Sequence, residues 1–355
     1  MTMKKFLKIG PYSISAFAIV GVAVLLRVIL DAFNWPVTTS DEGSMGLMAI
    51  HIAYHGELPL VLYGQSYMGS MEAYLGSVFF RIFGISLFSL RLGVILLFTL
   101  FLVSMYLLTS LLFSKKLALF TLALLALGSD PMLSHEIIAT GGSTQTLLFG
   151  SLAFLIISWL VLSNQRPQNQ YSLLWRYTAY LGLGLVMGLG VWSDMIVVPY
   201  FAMACLLLVF FCWRELFSPA LLFLLGGFFF GMMPLLIFNY ESLNGTNSFS
   251  VLLGLSHGSG EQAVHTLSQI LHNILSTIQV SVPMATGEPF CPVNEWPWIR
   301  GDNSSRSTAC AVAHGSWGVG YPLLLCAVIL LTASAIWKLR RQKGTSGIAF
   351  SRLSL

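Results

Sequence analysis

Residues 88–113 read FSLRLGVILLFTLFLVSMYLLTSLLF, 26 positions with a single charge, Arg91, near the start. At about 1.5 Å per residue such a helix reaches ~39 Å, beyond the ~30 Å hydrocarbon core of a bilayer. A soluble helix needs a charged or polar face, and this run offers no charged one. The stretch therefore predicts a membrane-spanning helix, and the rest of the chain repeats its character.

Hydrophobic residues make up 56% of the 355 positions and charged residues only 9%, with a mean hydropathy of +0.80. A soluble domain carries roughly 25% Asp, Glu, Lys and Arg, so this chain cannot cover a water-facing surface. The 25 Phe and 9 Trp exclude disorder. The net charge of +4 is small and scattered, which speaks against nucleic-acid binding.

Runs long enough to span fall at 12–32, 88–113, 117–138, 141–163, 177–193, 195–213, 217–238 and 317–337. The segment 71–84 is shorter and carries Glu72 and Arg81, so it predicts a helix lying in the interface. With the N-terminus cytoplasmic, 13 of the 18 basic residues fall inside, as the positive-inside rule requires. On that map 12 of the 14 acidic residues face outward, which places the chemistry on the outer face. The expected fold is all-α and polytopic, with about eight transmembrane helices, both termini cytoplasmic, and helices lying along the outer surface. Three parts are expected: a transmembrane module over 1–240 with a first outer loop at 33–87, a second outer loop at 241–316, and a last span with its tail at 317–355.

The first outer loop carries Ser40-Asp41-Glu42, where Ser40 or Asp41 can cap a helix over 42–55. Carboxylates at a helix N-terminus are favoured in their ionised form, and one near the headgroups can serve as a base toward a substrate hydroxyl. The same spacing also reads as a plain cap with a first-turn acid. Next come Tyr63-Gly64-Gln65-Ser66-Tyr67-Met68-Gly69, where glycine lets the backbone approach a sugar or phosphate and tyrosine packs on sugar faces. Gly128-Ser129-Asp130-Pro131 should break the third span and leave Asp130, His135 and Glu136 near the outer membrane depth. Gln145, after Gly141-Gly142, and Asp194, after Trp192-Ser193, lie at the same level.

Within the second outer loop, 261–279 has apolar residues at helical spacing and predicts an amphipathic helix on the outer leaflet. His265 and His272 share its polar face without a third ligand, so no metal site is expected. Cys291 and Cys310 share this loop, and in an oxidising space they read as a disulfide.

Taken together, the chain resembles the GT-C glycosyltransferases that use polyprenyl-phosphate-linked sugars, such as the protein mannosyltransferases and the lipid A aminoarabinose transferase. The resemblance runs from the first span to about residue 240. It rests on Asp41-Glu42, GQSYMG (64–69) with Phe83-Gly84 and Arg91-Leu92, Gly141-Gly142, Val191-Trp192-Ser193-Asp194, and Pro234 with Asn239. It departs where Met68-Gly69-Ser70-Met71 stands in place of the Lys-Pro or His-Pro-Pro element of those branches.

The resemblance implies sugar transfer at the extracytoplasmic face of a plasma or inner membrane, with Asp41 and Glu42 as catalytic carboxylates and Asp41 as the base. Arg91 would neutralise the phosphate. Gln65, Tyr67, Glu72, Asp130, Glu136, Gln145 and Asp194 would line the substrate pocket. No cofactor or metal is implied. The implied partners are a polyprenyl-phosphate-linked sugar, a glycan, lipid or protein acceptor, and membrane lipids. A lipid-glycan flippase and a non-catalytic glycolipid-binding subunit stand as alternatives.

Overall fold

A computed structural model describes residues 10–164, 173–242, 247–248, 250–251, 266–286 and 305–345. It divides into two compact units, Met1–Glu261 and Gln262–Leu355.

The first unit opens with α1 (Pro11–Ala32), whose arrangement is inverted relative to a soluble helix. Phe17, Val22 and Leu25 are exposed, while Arg27 and Asp31 are buried. Only a surface meant for lipid leaves its large apolar side chains outside and its charges within. Next come α2 (Ser40–Ile50), continued by a π-turn His51–His55, and a small hairpin of β1 (Val61–Leu62) and β2 (Gln65–Gly69). Met45, Met48 and Ala49 of α2 pack with Leu62 of the hairpin and with Ala73 and Phe80 of α3 (Met71–Phe83). The helix expected over 71–84 is thus present, and Gly84, at a left-handed φ of 85°, ends it.

The decisive stretch forms α4 (Leu87–Leu112), capped by Ser86, whose hydroxyl accepts from Ser89 N at 3.0 Å. The third span breaks where its Gly-Ser-Asp-Pro sequence predicts. The 13-residue α5 (Lys115–Leu127) stops at Gly128, and Pro131 lies in the first turn of α6 (Asp130–His135). Then follow α7 (Ser143–Asn164), α8 (Leu173–Ser193), a 3₁₀ turn Met195–Val197, α9 (Val198–Cys212) and a second 3₁₀ turn Trp213–Phe217.

The span expected over 217–238 is not one straight helix. It is α10 (Ala220–Gly231) and α11 (Met233–Glu241), bent by 57° at a break followed by Pro234. Among the described residues five helices are long and apolar enough to cross a membrane, or six with this bent pair taken as one span, where eight were expected. At 13 residues α5 covers only ~20 Å, short of the hydrocarbon core. In α8, glycines and Arg176 dilute the apolar run. Those glycines have a packing role: a Cβ on Gly184 or Gly188 would strike backbone atoms of Leu224 or Phe228, and one on Gly227 or Gly231 those of Leu181 or Leu185. Two small-xxx-small faces thus bring α8 and α10 into backbone contact.

In the second unit, α12 (Leu267–Ser276) starts at a capping box between Thr266 and Gln269, runs through a π-turn Thr277–Ser281 and ends in α13 (Val282–Thr286). The amphipathic helix is therefore observed from 267 onward, and His265 lies outside the described residues. Its apolar face, with Leu267, Leu271, Ile274 and Leu275, is exposed. The last helix, α14 (Ser305–Thr345), runs unbroken across the 316/317 boundary drawn from the sequence. Cys310 is buried and disulfide-bonded, Cys205, Cys212 and Cys326 carry free thiols, and Cys291 lies outside the described residues.

Candidate functional site

The start of α2 decides between the two adjacent acids. The cap is Thr39 rather than Ser40 or Asp41, its hydroxyl accepting from Glu42 N at 3.3 Å. Successive helical residues point about 100° apart, so Asp41 and Glu42 cannot share an environment. Glu42 turns inward and is wholly buried. Arg91 donates to its two oxygens from Nε and Nη2, each at 2.8 Å, and Ala139 N donates at 3.0 Å. The same guanidinium gives Nη1 to Asp31 at 3.3 Å and Nη2 to the carbonyl of Pro36 at 2.8 Å. Four of its five N–H bonds are thus committed inside the protein. Arg91, expected to meet a lipid phosphate, instead fastens α1, α2 and α4 together. Asp41 is half-buried at the surface, and its side chain makes no hydrogen bond or ion pair among the described residues.

A second buried pair joins Arg27 of α1 to Glu136, with Nη2 2.6 Å and Nε 3.2 Å from Oε2. Arg27 Nη1 also donates to the carbonyl of Ala126 at 2.8 Å, and its guanidinium lies 4.0 Å over the ring of Phe98. The broken third span leaves carbonyls without helical partners at the end of α5, and Arg27 satisfies them. Glu136, expected to face a substrate, is committed to this contact. Arg27 and Asp31 did not stand out as site residues in the sequence; the available signal was ionisable side chains inside an apolar span.

The third grouping gathers Glu72, Gln145 and Asp194 around Gly141-Gly142. Gly141 N donates to Glu72 Oε2 at 2.9 Å. Burial pushes the Glu72 carboxyl up to about 8; the Gly141 N–H and Gln145 oppose this, and the nearby Glu42 and Asp194 add to it. Asp194 caps the turn after α8, accepting from Ile196 N at 2.8 Å, and burial raises its carboxyl above the ordinary range. Gly142 has a left-handed φ of 81°, and a Cβ there would collide with the Asp194 carboxylate. Met68 of β2 pairs with Asp194 through the backbone, and Trp192 Nε1 donates to the carbonyl of Leu60 at 2.7 Å. The hairpin that carries Gln65 and Tyr67 is therefore fixed to the end of α8, with both side chains half-buried. Asp130 stands apart, exposed in the first turn of α6.

Fold and site together define an all-α polytopic membrane protein, with one small hairpin, that buries Arg27, Asp31, Glu42, Glu72, Arg91, Glu136 and Asp194. No family model and no curated protein sequence matches the chain. Among solved structures it is similar to the crystal structure of the Archaeoglobus fulgidus oligosaccharyltransferase in the apo form, at 17% identity and a TM-score of 0.41 over 78% of this chain and 40% of that one. The complex of that protein with Zn and sulfate matches at 16% identity and a TM-score of 0.37, over 90% of this chain and 51% of the other. The chain spans about half or less of the length of those structures.

Proposed function

We propose that the protein transfers a sugar from a polyprenyl-phosphate carrier to a glycan, lipid or protein acceptor at the extracytoplasmic face, with Asp41 as the general base. The observation that carries this reading is a carboxylate left uncommitted among the described residues, on a helix start that a buried ion pair anchors. Among the described residues Asp41 has no hydrogen-bond or ion-pair partner, while the next residue is clamped by a bidentate arginine in a buried network. A base aimed at a substrate needs such an uncommitted group on a fixed support. In the reaction the acceptor hydroxyl loses its proton to Asp41 as its oxygen attacks the anomeric carbon. The bond from that carbon to the carrier phosphate breaks, and the phosphate leaves with the electron pair. Glu42 and Arg91 act as positioning residues for the turn. Glu72, Gln145 and Asp194 shape the floor beside it. The one-sided placement of basic residues supports cytoplasmic termini and an outward site.

The test compares envelope glycans by mass spectrometry from cells lacking the gene and complemented with wild type or Asp41→Asn. Wild type should restore the missing glycan, while Asp41→Asn, inserted at normal level, should reduce it by about a hundredfold or more. Full restoration by Asp41→Asn would reject Asp41 as the base. The 57° break between α10 and α11 favours one other reading, a lipid-glycan flippase. That reading requires labelling of introduced cysteines from both sides of the membrane, and a transferase does not.

A further inference from the structure

At the end of α2 the sequence His51-Ile52-Ala53-Tyr54-His55-Gly56-Glu57 folds as a π-turn closed by Gly56. The left-handed φ of 72° at Gly56 turns the chain back, and Glu57 N donates to the carbonyl of His51 at 3.3 Å. The imidazoles of His51 and His55 stack with centroids 5.5 Å apart, and the Glu57 carboxylate reaches the Nδ1 of His51. One ligand atom from each of the three residues lies within 4.8 Å of the other two. His51 Nδ1 and Glu57 Oε2 are 3.3 Å apart, which matches the ~3.3–3.4 Å edge of a tetrahedron with ligands at ~2.0–2.1 Å from zinc. The turn is held from behind: Arg81 Nε donates to the carbonyl of Ala53 and the Tyr54 hydroxyl to that of Phe80, each at 3.0 Å. Ile52 and Ala53 are buried beneath it. The front stays open, with the side chains of His51 and Glu57 26% and 50% exposed, so an ion can reach them.

We infer that His51, His55 and Glu57 form a zinc-class metal site that staples the end of α2 to the chain leading into the hairpin. Two imidazoles and one carboxylate suit zinc and disfavour magnesium or calcium, which prefer all-oxygen shells. The fourth position stays open to water. The Tyr63 hydroxyl, 3.0 Å from both His51 Nδ1 and Glu57 Oε2, now bridges the two, and it would yield that place to the ion and orient the carboxylate. This site is independent of the sugar-transfer reading.

The test uses the full-length protein purified in detergent with a tag free of histidine and stripped with EDTA. Zinc is titrated against a chromophoric chelator, and cobalt(II) is added to a second sample for its visible spectrum. The protein should bind one equivalent of zinc, and cobalt should show the intense ligand-field bands of a tetrahedral complex. His51→Ala, His55→Ala and Glu57→Gln should each weaken zinc about tenfold or more, while Tyr63→Phe should keep it. His55 is exposed and makes no hydrogen bond among the described residues, so its replacement leaves the fold intact and keeps the test decisive. No zinc uptake by the wild type, or unchanged uptake by His55→Ala, would overturn the assignment.

Discussion

Replacing Arg91 with methionine would strand two carboxylates at once. Methionine keeps much of the stem volume, so the cavity contribution is small and the electrostatic one dominates. Glu42 would lose both charge-assisted bonds, each 2.8 Å, and Asp31 its contact at 3.3 Å, at side-chain exposures of 0% and 1%. Removing one member of a buried pair costs about 3–5 kcal/mol, because the other charge is left without water or partner. An exposed pair would cost about 1 kcal/mol or less. The assay is reversible unfolding by SDS in mixed micelles, followed by circular dichroism. We expect a loss of about 3–5 kcal/mol for Arg91→Met, and a smaller one for Arg91→Lys, whose single ammonium cannot span both Glu42 oxygens. Adding Glu42→Gln to Arg91→Met should restore part of the loss, because one of the two stranded charges is then gone. A loss below about 1 kcal/mol, or strictly additive single and double variants, would refute the clamp.

Two further outcomes follow from the packing. Burial keeps Glu72 protonated in the folded state to a higher pH than in the unfolded chain, from the ordinary 4.5 up to about 8. Its contribution is therefore whole below pH 4.5 and is lost as the pH rises to about 8. Glu72→Gln should flatten that decline, worth about a few kcal/mol, in unfolding titrations at the two ends of the window, and an unchanged slope would rule Glu72 out as its source. Gly188→Ala should destabilise by about 1–3 kcal/mol, because its methyl group meets the backbone of α10. Gly182→Ala, with open space around it, should cost nothing in the same assay.

The sequence made α3 legible because Glu72 and Arg81 mark it off from a spanning run, and it made the break after α5 legible because Gly128 and Pro131 cannot continue a helix. Pro234 gave the same warning, but it sits in a run so apolar that hydropathy averages over it, and the 57° bend went unread. The hairpin escaped because its strands are two and five residues long, too short for an alternating pattern to emerge. At the site, residue type was legible and direction was not. Adjacent Asp41 and Glu42 look equivalent in one dimension, and only Arg91, 49 positions beyond Glu42, settles which one turns inward. For the same reason Arg91 read as a phosphate ligand, since nothing local shows that its partners are Glu42 and Asp31, the latter 60 residues away.

The pair between Arg27 and Glu136 bears on how the protein is made. The two residues are 109 positions apart, so the nascent first helix is complete long before its partner leaves the ribosome. Arg27 stands five positions before the end of the 22-residue α1, so inserting it alone costs less than the ~2.5–3.5 kcal/mol of an arginine at a helix centre. Until the acid arrives, headgroups, water or the insertion machinery must solvate that guanidinium. The partner that Arg27 keeps in the folded protein thus becomes available only after the segment carrying residue 136 has followed the first helix in.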